Sequence, residues 1–217
     1  METRRLLIQS VLTLALVLAP GTGWAGDGKG NPTATLNIST GSRAERIKAI
    51  QALAHSKNPQ AIDVLIKQLS IMDDGIVAAL KTSLRALKAV PVLEQRLADS
   101  GSSEEQKVLA CIGLRALKEK SSIPPLISAL KDQRAGVRKE AALALGVIAP
   151  AEAEAELLTA LSDSDEDVRY FAADALGDVP TAAVRQAIET RLAGEASPVV
   201  RSALLAAKNK LDRAPAR

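Results

Sequence analysis

Aromatic side chains are nearly missing from this chain: one Trp, one Tyr and one Phe in 217 residues. Histidine and cysteine are scarcer still, with His55 and Cys111 as single copies. A lone cysteine permits no internal disulfide, whatever the compartment. A lone histidine with no cysteine beside it leaves the usual metal site, or a histidine-based acid/base pair, without its second member. Cys111 has no base to activate it and reads as a small core thiol. Charge of one sign is lacking too, since 28 basic residues face 25 acidic ones. Nucleic-acid binding, which wants a basic stripe interleaved with stacking aromatics, finds neither here.

The first 25 residues form a separate object. Arg4 and Arg5 precede an apolar run from Leu6 to Pro20, and Gly23-Trp24-Ala25 supplies a small-residue exit. These flanks read as a secretory signal peptide cut after Ala25. A retained anchor is the alternative, but the run falls short of the ~20 apolar residues of a span and carries Gln9 and Ser10. No cysteine follows it to carry a lipid. Thr3 to Ile8 partly matches a twin-arginine export signal, which leaves two export routes open. Cleavage would leave 26 basic and 24 acidic residues, a charge of +2. The expected location is the bacterial periplasm or outside the cell, with no membrane contact after cleavage.

Residues 26–42 are rich in Gly, Asn, Thr and Ser without helical period and read as a flexible lead-in. Within them Thr33 to Ser39 alternates polar and apolar, as a pairing strand would. Asn37-Ile38-Ser39 matches a glycosylation acceptor, which has no meaning in a bacterial periplasm.

What the chain has in quantity is a repeat. Asp163 to Gly177, D-S-D-E-D-V-R-Y-F-A-A-D-A-L-G, recurs 31 residues earlier as D-Q-R-A-G-V-R-K-E-A-A-L-A-L-G from Asp132 to Gly146, and more loosely from Glu195. Leu130, Leu161 and Leu192 report the same period independently. Such a period marks an array of units that bury their apolar faces only against one another. Val137, Ala141, Ala144 and Leu145 fall on one helical face. Paired alanines (Ala141-Ala142, Ala172-Ala173) allow close helix approach, and Gly146 and Gly177 are expected to end their helices. First helices are expected at Arg43–Ser56, Gly75–Ala89, Ser103–Lys120, Arg134–Ile148, Glu166–Val179 and Pro198–Leu211. Second helices are expected near Pro59–Ile71, Pro91–Ser100, Ile123–Leu130, Ala151–Leu161 and Thr181–Leu192.

This pattern of acid, Val-Arg, Ala-Ala and Ala-Leu-Gly followed by an apolar second helix resembles the HEAT repeat family, in particular the HEAT-like repeats of phycobilisome lyases. The resemblance covers about residues 43–211 and is sharpest from Gln133 to Leu192. Toward the amino terminus Val-Arg becomes Ile76-Val77 and Glu45-Arg46, which blurs the repeat boundaries there. It implies an all-α protein, a right-handed α-solenoid of about five helix pairs plus a terminal helix, with the second helices lining a concave surface. It also implies a protein-binding scaffold that is not an enzyme and holds no cofactor. An accessory, lyase-like role in attaching a cofactor to a client protein is the alternative, and a structural part in the cell envelope a third reading.

Candidate sites follow from the repeat. Acid and arginine stand six apart in Asp132/Arg138, Asp163/Arg169 and Glu195/Arg201, a recurrence that points to pairing within the stack. Asp163, Asp165, Asp167 and Asp174 echo a calcium loop, but Val168 stands where such a loop needs Gly, and carboxylates suit a helix amino terminus anyway. On the second helices, counting two back from the final leucine gives Lys67, Gln95, Ser128, Thr159 and Thr190. Counting one back gives Gln68, Arg96, Ala129, Ala160 and Arg191. Both rows are expected to face away from the core, as a partner's landing surface or as a solvated face. Lys208, Lys210, Arg213 and Arg217 make a basic tail over 212–217 and the turn before it, either capping the last helix or meeting an acidic partner.

Overall fold

In the computed structural model, the described residues are Ile38, 41–55, 60–69 and 73–214. The signal segment, most of the lead-in, Pro59 and Arg217 lie outside them. Within the unit Pro32–Arg217, eleven α-helices are described: α1 (Arg43–Ala54), α2 (Ala61–Lys67), α3 (Asp74–Ala86), α4 (Ala89–Ala98), α5 (Glu104–Leu117), α6 (Ile123–Ala129), α7 (Ala135–Ile148), α8 (Glu154–Ala160), α9 (Glu166–Leu176), α10 (Ala182–Gly194) and α11 (Pro198–Arg213). This is the expected α-solenoid of five helix pairs and a terminal helix. Odd-numbered helices are the first helices, even-numbered ones the second.

Short polar side chains start five of the six first helices, α7 being the exception, with Arg134 at its start and no side-chain cap. Ser42 and Ser103 form reciprocal caps with Glu45 and Gln106, and Asp73, Asp165 and Ser197 accept from backbone amides of the first turn. Each satisfies a donor that the helix cannot satisfy itself. One second helix falls short of expectation at its start: α8 opens as a 3-10 turn over Pro150–Ala153, while α6 begins at Ile123 as expected, after a 3-10 turn at Lys120–Ser122. The last helix runs through Arg213, so the expected tail begins as helix. Of the expected lead-in, Ile38 is helical and buried, and its carbonyl accepts from Arg46 Nε at 2.7 Å.

The core runs along the stack. Val137, Ala141, Ala142, Ala144 and Leu145 of α7, and Val168, Ala172, Ala173 and Leu176 of α9, have no exposed surface. Cys111, at the same position as Ala142 and Ala173, is buried likewise. Burial pushes its thiol pKa far up, and the neighbouring Glu140 adds to the effect, which disfavours the thiolate form.

One of the two glycines corrects an expectation, and the other meets it as the residue that closes α9. Gly146 lies inside α7 rather than at its end, and Gly177, the residue after α9, has right-handed φ −57°. Their role is closeness: a Cβ at Gly146 would lie 2.8 Å from the Cβ of Ala175, and one at Gly177 would lie 3.0 Å from the Cα of Ala207. α7 and α9 thus each lay the carboxyl end against the backbone of the next first helix. Left-handed turns fall instead on Lys88 (φ 50°) and Lys118 (φ 56°), where the chain reverses between first and second helices.

First helices stack in sequence, α1 on α3, then α5 on α7 on α9 on α11. The row is interrupted once, because α3 and α5 barely touch and α5 packs instead against α4 and α2.

Candidate binding surface

The acid and arginine pairs are joined between repeats. Arg138 Nε and Nη2 bond Asp163 at 2.7 and 2.8 Å, and Arg169 bonds Glu195 at 3.0 Å through both nitrogens. Each guanidinium also donates Nη1 to carbonyls of its own turn: Asp132 and Gln133 for Arg138, Asp163 and Ser164 for Arg169. One arginine thereby ties two turns of backbone together. Lys107, at the matching place in α5, reaches Asp132 at 3.1 Å. The residues six apart in the sequence are therefore not partners through their side chains; the side-chain partner is the acid of the following repeat, 25 or 26 residues on.

These carboxylates are shifted accordingly. Arg169 holds Glu195 down, from the ordinary 4.5 to about 2, against its burial and with help from the Ser197 amide and Arg191. Arg134 beside Asp132 depresses that carboxyl well below its usual range, with Lys107 adding to it. Burial alone would raise Asp163, but Arg138 and the Asp165 amide outweigh it and the net direction is down. Asp165 is spent on the amides of Asp167 and Val168 as the cap of α9. Among the described residues, no group of three or more His, Cys, Asp or Glu is placed to hold a metal ion. The two aromatics, Tyr170 and Phe171, meet edge to face at 5.1 Å and pack partly buried against the core.

On the second helices, the two expected rows separate. Lys67, Gln95, Ser128, Thr159 and Thr190 are all exposed. Ser128, Thr159 and Thr190 turn their hydroxyls back to carbonyls four residues earlier, and Lys67 pairs with Glu105 at 2.7 Å. The other row does not face away. Ala129 and Ala160 are buried, and Gln68, Arg96 and Arg191 are half-buried. The reason is angular: one residue back from a core leucine lies ~100° round the helix, on the flank against its neighbour. Arg96 is committed to Asp63 of α2, and Arg191 to Glu195 at 2.6 Å. His55 is exposed at the end of α1. In the basic stretch, Lys208 pairs with Glu189 and Asp212, and Lys210 with Asp174 and Asp178, leaving those cations neutralised on the stack itself.

Sequence reasoning did not find the groove that opens between α8 and α10, of about 470 Å³. Leu158, Leu161, Ala183 and Ala187 supply apolar lining, and Gln186, Thr190 and Arg191 supply polar groups. The small residues of α10 are the only sequence trace of it.

The family model for HEAT repeats matches residues 90–159 and 123–208, together more than half of the chain. The protein belongs to the HEAT repeat family, the class that its stacked helix pairs define. No curated protein matches it. Among solved structures, it is similar to the designed armadillo repeat protein YIII(Dq)4CqI, at 21% identity over 83% of this chain and 99% of that one, TM-score 0.49. A designed armadillo repeat protein in complex with the peptide (KR)4 is 18% identical, over 83% and 98%, TM-score 0.46. The complex of CpcE and CpcF of phycocyanin lyase from Nostoc sp. PCC7120 is 21% identical, over 79% and 76%, TM-score 0.34.

Proposed function

We propose that this chain is an exported, non-catalytic scaffold that presents its second helices to a protein partner. One observation carries the reading: each repeat exposes one polar residue at the same helical position, Lys67, Gln95, Ser128, Thr159 and Thr190. Lys107, Arg138 and Arg169 of the first helices are meanwhile held by acids of the following turn. A repeat array meets a partner through such a row, with each helix adding one contact. Export is supported by Arg4, Arg5, the apolar run to Pro20 and the Ala25 exit.

The test is a photo-crosslinking residue placed in the cell at Gln95, Thr159 or Thr190, with Thr82 of α3 and Val147 of α7, both exposed on first helices, as controls. A crosslinked species of one defined mass, from the second-helix positions and absent from the controls, is expected. Equal yields from both sets would sink the assignment of this face. Detection of the product in a periplasmic fraction checks the location.

A further inference from the structure

Four first helices in a row carry a cation at the same place, the fourth residue after the cap: Lys107, Arg138, Arg169 and Arg201. The first three reach forward to the acid of the following turn, at Asp132, Asp163 and Glu195. Arg201 is held like the two arginines before it. Its Nη1 donates to the carbonyls of Glu195 and Leu192 at 3.2 and 3.0 Å, as Nη1 of Arg138 and Arg169 donates to carbonyls of their own turns. Its Nε and Nη2, the nitrogens that hold the acid in Arg138 and Arg169, meet no carboxylate among the described residues. Arg201 is exposed and is half of a link whose other half is missing.

The helix face beside it is open in the same way. In the register that puts Glu195 and Arg201 in the places of Asp163 and Arg169, Leu205, Ala206 and Asn209 take the places of Ala173, Asp174 and Gly177. Those residues of α9 are spent on the stack: Ala173 has no exposed surface, Asp174 pairs with Lys210 of α11 at 3.7 Å, and Gly177 lies against Ala207. Their three counterparts on α11 are exposed, Leu205 by 47%. Arg201, Leu205 and Asn209 stand four apart, so charge and leucine share one stripe. A repeat array that meets water at its end does so with a polar outer face; α11 turns a leucine outward beside an unfilled guanidinium.

We infer that this face of α11 docks a helix of another protein, with an Asp or Glu just ahead of that helix bonded by Nε and Nη2 of Arg201 and its apolar side laid on Leu205 and Ala206. The occupant is a helix because α9 and α11, which Arg138 and Arg169 hold, each carry the acid two residues before the cap. A fork of two charge-assisted bonds fixes its orientation. A second copy of this chain does not bring that acid. Asp132, Asp163 and Glu195 are held within each copy, and α1, α3 and α5 have Thr40, Ile71 and Gly101 at the same place. The surface is separate from the row on the second helices and goes beyond the function proposed above, so either can fail alone.

The experiment offers the full chain to immobilised, stapled helical peptides of about three turns, ~16 Å, which cover the ~12 Å from Arg201 to Asn209. Each has Asp, Asn or Lys fixed two residues before a Ser cap, and the helix behind it varies among Ala, Leu, Val and Gln. The Asp set should retain the protein at least tenfold above the Asn and Lys sets. Arg201→Gln should abolish that preference, and Leu205→Asp should abolish retention, with thermal melts confirming that both variants remain folded. Gln95→Ala, on the second-helix row, should change neither. Equal retention by the Asn or Lys set overturns the inference, as does retention by no set or retention unchanged in Leu205→Asp. Equal retention by the same peptides with Pro at their centre overturns the helical occupant. Loss in Gln95→Ala overturns the inference by moving the binding to the other surface. Concentration-dependent self-association that vanishes in Leu205→Asp overturns it by assigning the face to a second copy.

Discussion

The junctions from α5 to α11 and the junction between α3 and α5 solve the same problem differently. In the former, each first helix lies on the next, with Gly146 or Gly177 admitting the neighbour's backbone and a cation reaching forward to an acid. At α3/α5 both ends of that link are gone: Val77 stands where Lys107, Arg138 and Arg169 stand later, and Gly101 stands in place of Asp132, Asp163 and Glu195. There α5 turns to the second helices. Gly113 faces Leu93 of α4 and Ile66 of α2, where a Cβ would come within 2.7 and 2.8 Å of their methyl carbons, and Lys67 joins α2 to Glu105. Arg85 gives α3 its polar touch on α5, at the Leu117 carbonyl. Specific ion links thus go with a regular stack, and loss of the link goes with a changed packing partner.

The largest test of this difference is Arg169→Ala, which leaves the buried Glu195 with Arg191 and one amide. A loss of about 3 kcal/mol in denaturant unfolding is expected, within the range for breaking a buried pair. Val77→Ala should lose under about 1 kcal/mol in the same assay. Equal losses would break the comparison.

Gly146→Leu comes next. It forces bulk against Ala175 and should lose roughly 2 kcal/mol, as overpacking does. Gly101→Ala should be near neutral, because a Cβ there meets only Asp99 at an ordinary 3.4 Å.

Acid should erase part of the contrast. A carboxylate held below its unfolded value contributes stability that is complete above that value and is lost as pH falls through the folded one. For Glu195 the window runs from 4.5 down to about 2, and Asp132 and Asp163 shift in the same direction. Melting temperature should decline through that window. Glu195→Gln should lie below the parent above pH 4.5 and converge toward it near pH 2, and a constant gap would refute the link.

The smallest effect is expected from restoring the absent pair with Val77→Arg and Gly101→Asp together. Because α3 and α5 do not stack, the double-mutant coupling should be under about 0.5 kcal/mol. Coupling above ~1 kcal/mol would show that the two helices can be drawn into register.

Much of this was legible in the residues. Val137, Ala141, Ala144 and Leu145 announced the buried face of α7 by spacing alone, and the 31-residue period placed every described helix, because local periodicity determines both. Spacing also named the members of the ion links, but not their pairing: the separation of six is local, while the bond crosses to the next repeat. Gly146 reads as a helix end because glycine serves both termination and close approach, and only the neighbouring backbone tells which; Gly177 serves both. Arg96 and Arg191 looked free because a residue one step from a core leucine is polar and flanking; the partner of Arg96 lies on another helix, and that of Arg191 is the acid that follows its own. Ile76-Val77 was visible as a departure, but its consequence, the turn of α5 toward α2 and α4, depends on long-range packing.

The forward link from each cation to an acid 25 or 26 residues on means that the repeats of α7 and α9 each carry half of two connections, a donor for the repeat after it and an acceptor for the one before. A duplicated copy of residues 132–162, inserted in frame after 162, would bring its own Asp132 to meet Arg138 and its own Arg138 to meet Asp163. The array can thus lengthen by gene duplication without inventing a single new contact, and its earlier, unlinked junction is the one place where such a copy would arrive with nothing to hold.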